Sequence, residues 1–135
     1  MSLHRILKMV PNKKISLTLI EYAEPLINDL EDGYSKSDLE RILKFTAGIW
    51  NACVLDKWRG TTEHVKAIRR QISKAAHPMP IAIVEALIVR KQQLFGNDPR
   101  AITNECVIVK NGEFVVRAEA RLDLQHLTVE GKYVN

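Results

Sequence analysis

Between Leu39 and Trp58 apolar residues return every three or four positions: Leu39, Ile42, Leu43, Thr46, Ile49, Trp50, Cys53 and Val54. At about 100° per residue this is one stripe of an α-helix. Phe45, Gly48, Ala52 and Leu55 lie on the opposite side, so the second half is apolar nearly all round. Such a helix must be buried, and it predicts the centre of the fold. Ser37 and Glu40 have the spacing of a capping box and start the helix at about Asp38. Asn51 is the one amide in the buried half. Leaving it unpaired would cost roughly 1 to 3 kcal/mol, so it is expected to tie the helix to a neighbour.

Upstream, Leu17, Ile20, Ala23, Leu26, Ile27 and Leu30 keep helical spacing from Ile15 onward. Thr18 with Glu21 predicts a second capping box, and Pro25 predicts a kink or a split into two short helices. A third helix runs from Thr61 or Thr62 to about Ala76 on a thin stripe of Val65, Ile68 and Ile72. A fourth starts at Pro80 and buries Ile81, Val84, Leu87, Ile88, Leu94 and Phe95, with Arg90, Lys91, Gln92 and Gln93 mostly toward water and Gly96 as a left-handed cap. The period then changes to two. Ile102–Lys110, Asn111-Gly112 and Glu113–Leu122 predict a β-hairpin with a type I′ turn. Pairing Lys110 with Glu113 sets Val109 opposite Phe114, Val107 opposite Val116, Glu105 opposite Ala118 and Thr103 opposite Ala120 on the face toward the helices. Ile108 with Val115, Cys106 with Arg117, Asn104 with Glu119 and Ile102 with Arg121 form the other face. The expected class is α+β: about four helices around a central buried helix, with a C-terminal antiparallel hairpin packed on them. Residues 1–135 read as one domain, with 1–14 a helix, an edge strand or an arm, and 123–135 an extra strand or a tail.

Composition narrows the class without naming a function. The 135 residues suffice for a single core, and 46% apolar with 27% charged is ordinary for a globular chain. No apolar run reaches the ~20 residues of a membrane span and no signal-peptide core is visible, which points to the cytoplasm and to no membrane partner. Cys53 and Cys106 read as buried small hydrophobes of a reducing compartment, Trp50 as core and Trp58 as a rim residue. His4, His64, His77 and His126 are scattered, so no metal site is expected. Glu21 with Glu24 and Glu31 with Asp32 read as surface carboxylates, and no nucleophile has a base partner in its neighbourhood. We therefore expect no catalytic residue and no cofactor.

Charge is unevenly distributed. Lys57 to His77 holds Lys57, Arg59, Lys66, Arg69, Arg70 and Lys74 against one acid, Glu63, so the net charge of +4 arises there. Such a cluster is the footprint of a phosphate-backbone or other anionic partner, or else a solvated helix face. Arg59, Lys66, Arg69, Arg70 and Lys74 are the candidate binding residues. The second candidate is the hairpin face of Arg117, Glu119 and Arg121 with Arg100 before it, either a self-paired ladder or an anion clamp. The leading expectation is a non-enzymatic interaction or regulatory module, with a homodimer through the hairpin edge or the tail, or another protein as partner. The alternative is nucleic-acid or anionic-partner binding through the basic segment, and the third is an enzyme whose pocket the sequence does not display.

The segments WNACVLDKW (50–58), LIVRKQQLFGNDPRAI (87–102) and VVRAEARL (115–122) resemble a group of small bacterial conserved hypothetical proteins. The resemblance covers most of the chain from Ile15. It implies a bacterial cytoplasmic origin and carries no catalytic residue, cofactor or partner with it.

Overall fold

The computed structural model describes residues 14–75 and 80–122. Four helices, α1 (Ile15–Asn28), α2 (Lys36–Arg59), α3 (Glu63–Ser73) and α4 (Ile81–Leu94), precede the antiparallel hairpin β1 (Ala101–Lys110) and β2 (Glu113–Arg121). The class is α+β. The readings of 1–13, His77 and 123–135 lie outside the described residues.

Helix α2 is the centre. It packs against α1, α3, α4 and β1, and every residue from Trp50 to Asp56 is buried. Seven consecutive buried positions span all faces of a helix, so the all-round apolar pattern is met by cover on all sides. Its start differs from expectation: Ser35 is the N-cap and Asp38 completes the capping box, with the two reciprocal bonds at 3.1 Å. Ser37 and Glu40 have the right spacing but lie two residues too far into the helix. At the other end Gly60 takes φ 65°, a left-handed cap that a side chain would strain.

Helix α1 is continuous through Pro25 rather than split. Proline removes the amide that would bond the carbonyl four residues earlier, that of Glu21. Arg90 of α4 fills the vacancy, donating from Nη2 to the Glu21 carbonyl at 2.8 Å and from Nε to that of Tyr22 at 3.1 Å. Thr18 does not cap α1; it is a buried residue inside the helix and donates to the Lys14 carbonyl. Glu21 is likewise buried rather than on the surface. Tyr22, Trp50 and Phe95 pack edge-on or tilted with centroids 5.1 to 5.7 Å apart at the meeting point of α1, α2 and α4.

The hairpin keeps the expected register from the turn to Cys106–Arg117, and Asn111 and Gly112 both take positive φ, as a type I′ turn requires. Below that it differs. A bulge sets Asn104 and Glu105 against Ala118, so Thr103 pairs with Glu119 and Ile102 with Ala120. Asn104 takes φ 53° and donates to Glu119 at 2.9 Å. The extra residue shifts the alternation, and Ala101, Ile102 and Thr103 are all buried. Val109 and Phe114, expected beneath the helices, are 59% and 38% exposed because the hairpin tip reaches past the helical layer; Phe114 instead meets Tyr34. Cys53 is buried but Cys106, on the outer face of β1, is exposed.

Asn51 performs the tie expected of it. Its Nδ2 donates to the Ile102 carbonyl and its Oδ1 accepts from the Ile102 amide, both at 2.7 Å. A single side chain thus pairs with β1 as a neighbouring strand would. On the same β1 edge Glu40 accepts from the Val107 amide at 3.4 Å, and on the β2 edge Ser16 Oγ accepts from the Ala118 amide at 2.9 Å. Strand addition by a second copy is therefore obstructed along the base of the hairpin and confined to its tip. No helix among the described residues is long and apolar enough to cross a membrane.

Candidate functional site

The basic segment folds as the end of α2, the Gly60 turn and α3, and the fold sorts its cations into two groups. Lys57 Nζ donates to the Gly96 carbonyl at 2.5 Å, and Arg59 lies over the Trp58 ring while its Nη1 bonds His64 Nε2 at 3.1 Å. Arg69 makes a two-pronged bond to Glu85 of α4, at 2.9 and 2.6 Å. That bond raises the Arg69 pKa and holds the Glu85 carboxyl below its usual range. Lys66, Arg70 and Lys74 form the second group. Four residues apart, they stand in one exposed row along α3, and the nearest paired acid, Glu63, is 3.9 Å from Lys66.

Asp56 explains how α3 begins. Thr62 is its N-cap residue but makes no side-chain cap bond. The buried Asp56 carboxylate accepts instead from the amides of His64 at 2.8 Å and Val65 at 3.0 Å, neutralising the positive end of the helix from the preceding element. His64 Nδ1 completes the set at 2.9 Å. Arginine can only donate, so Nε2 of His64 is the acceptor and Nδ1 carries the proton given to Asp56. A carboxylate–imidazole contact can activate a nucleophile, but here the free end of the imidazole is held by a permanent cation, and the arrangement is a structural clasp.

Lys91 overturns the reading of α4. Expected toward water, it is 3% exposed, and its Nζ donates to the carbonyls of Phe95 at 2.7 Å and Asp98 at 3.1 Å, 4.4 Å from the Trp50 ring centroid. Burial pulls its pKa down to about 8. Gly96 is not the left-handed cap either, since its φ is not positive. The carbonyls of the C-cap Phe95 and of Gly96 and Asp98 in the turn after α4 accept from the ammonium groups of Lys91 and Lys57, a cationic alternative to a glycine cap. Gly96 is required for a different reason: a Cβ there would sit 2.5 Å from the Gln92 carbonyl oxygen.

These residues surround a cleft of about 480 Å³ where the end of α2, the start of α3 and the last turns of α4 meet. Cys53, Val65 and Ile88 supply apolar wall; Lys57, Arg69, Lys91 and Gln92 supply most of the polar lining, with Asp56 as the one carboxylate. Burial pushes the Cys53 thiol up to about 11, so it is an unreactive part of that wall. The cleft is invisible in the sequence because it joins positions about 40 residues apart; the available signal is a lysine on the buried side of the α4 stripe.

The hairpin candidates divide between the turn before β1 and the strand β2. Arg100 is drawn to Asp98, with Nε and Nη2 at 2.9 and 2.6 Å, and also donates to Thr18. Arg117, Glu119 and Arg121 remain on β2, where Glu119 accepts from Asn104 and its residue pairs with Thr103. Among the described residues no three His, Cys, Asp or Glu side chains gather to hold a metal ion. No family model, curated protein or solved structure matches the chain.

Proposed function

We propose that the protein is a non-enzymatic interaction module whose partner is anionic, and that α3 is the contact. The observation that carries this reading is the sorting of the cations. Lys57, Arg59 and Arg69 are engaged by groups of the fold, while Lys66, Arg70 and Lys74 stand in an exposed row about 12 Å long. An exposed row of like charge is unfavourable to keep unless a partner or counterions offset it. Nucleic-acid backbone is the partner class favoured, because a straight row of cations suits a regularly spaced line of phosphates. The α3 surface offers no aromatic side chain for stacking on bases, so binding should be insensitive to sequence.

Fluorescence anisotropy with a labelled 20-base-pair duplex, about 20 base pairs being ample for the row, tests the reading. The expected result is saturable binding at low salt, equal for two unrelated sequences, and lost when Lys66, Arg70 and Lys74 are all changed to Gln. The same titration with polyglutamate separates a general acidic partner from nucleic acid: tighter binding of polyglutamate would move the proposal to an acidic protein surface. No binding of either polyanion would end it.

A further inference from the structure

We propose that the cleft between α2, α3 and α4 binds a small organic anion, a carboxylate carried on a short apolar body. The site is separate from the exposed row of α3: Val65 and Arg69 point to the cleft side of that helix, and Lys66, Arg70 and Lys74 to the other. Its volume of about 480 Å³ lies within the range of small-molecule sites. The lining divides into two regions of different chemistry. Cys53, Val65 and Ile88, each at most 8% exposed, offer an apolar surface that excludes water. Glu85 neutralises Arg69, so Lys57 and Lys91 bring two further positive charges against the single Asp56 carboxylate, which is already bonded by two amides and His64.

The charge imbalance selects the sign of the ligand. A cation would meet the like charges of Lys57 and Lys91, and a neutral apolar molecule would add no counter-charge to two ammonium groups that carbonyls hold but no carboxylate pairs. An anion with an apolar tail satisfies both regions. Lys57 is the more accessible of the two, with one N–H engaged by Gly96 and an exposed side chain, and Gln92 is an exposed rim residue able to donate to a second carboxylate oxygen. Lys91 contributes charge from behind, since its Nζ already serves two carbonyls.

The test uses 3-phenylpropionate as probe and 3-phenyl-1-propanol as its neutral counterpart, followed by saturation-transfer NMR and titration of protein chemical shifts. The expected result is saturable binding of the acid and about fivefold or more weaker binding of the alcohol. Lys57→Met should weaken the acid by about fivefold. Gln92→Trp, at an exposed position, should block the cleft by bulk without disturbing the core, and the variant lacking the three α3 cations should bind the acid as the parent does. The proposal is overturned by absence of saturable binding, by equal binding of the alcohol, by a Gln92→Trp variant that binds normally, or by loss of binding in the α3 variant. Because the α3 variant is the one that abolishes duplex binding, failure of either reading leaves the other standing.

Discussion

Asn51 is 1% exposed and holds both backbone groups of Ile102, so its replacement removes two hydrogen bonds from a buried strand edge at once. Asn51→Leu keeps the branched shape, adds bulk and leaves an amide and a carbonyl unpaired; we expect a loss of about 2 to 4 kcal/mol in urea denaturation, against a few tenths for a surface change. Lys91 makes a prediction in pH. The unfolded chain keeps the ammonium proton up to about 10.5 and the folded protein releases it near 8, so between those values unfolding takes up a proton and stability rises with pH. Cys53 acts in the opposite sense, since the folded thiol holds its proton to about 11 against 9.0 in the unfolded chain, and its contribution falls away mainly above pH 9. The two combine to a net gain on the order of 0.5 kcal/mol between pH 8 and 9 and a nearly flat profile beyond. In Lys91→Met the rise should vanish and a decline remain; chemical denaturation at a series of pH values reads both. A rise that persists in the variant would show that another group causes it.

Pro25 and Arg90 work as one unit across two helices. The proline leaves the Glu21 carbonyl without its helical donor and the guanidinium replaces that donor, so the two substitutions should be coupled. Arg90→Met is expected to cost about 1 to 2 kcal/mol in the parent and roughly 0.5 to 1 kcal/mol less in a Pro25→Ala background, because the new backbone amide at that position can then reach the Glu21 carbonyl. Strictly additive costs in this double-mutant cycle would refute the link. The sequence made α1 legible through its apolar spacing, but not this repair, whose donor comes from a position 69 residues away. The same holds for the hairpin. Period two and Asn111-Gly112 specify the turn and the pairs near it, whereas the bulge depends on Asn104 adopting a left-handed conformation, which asparagine tolerates better than most residues. An asparagine inside a strand pattern is the available sign, and strict alternation without it puts Ile102 on the wrong face. Capping is misread for a similar reason: Ser37-Glu40 and Ser35-Asp38 fit the pattern about equally well, and only the path of the chain before α2 decides between them.

Across the molecule, periodicity identified the core and the α+β arrangement, because burial of apolar stripes depends on residue type and spacing alone. Charge was legible as a total and as a segment, but not as a surface. Arg69 finds its acid on α4 and Lys57 its carbonyl after α4, and neither partner can be inferred from the local pattern. The fold thereby engages three of the six clustered cations and leaves Lys66, Arg70 and Lys74 in one exposed row, and the proposed contact with an anionic partner stands on that row. A polyanion held by Lys66, Arg70 and Lys74 releases about 0.9 counterion per neutralised phosphate, so the slope of log K against log salt for duplex binding should be about −2.7. Measuring that slope in the parent and in Arg70→Gln probes the row itself. Contact through α3 predicts a slope shallower by about 0.9 in the variant; a parent slope near zero, or one that Arg70→Gln leaves unchanged, would contradict it.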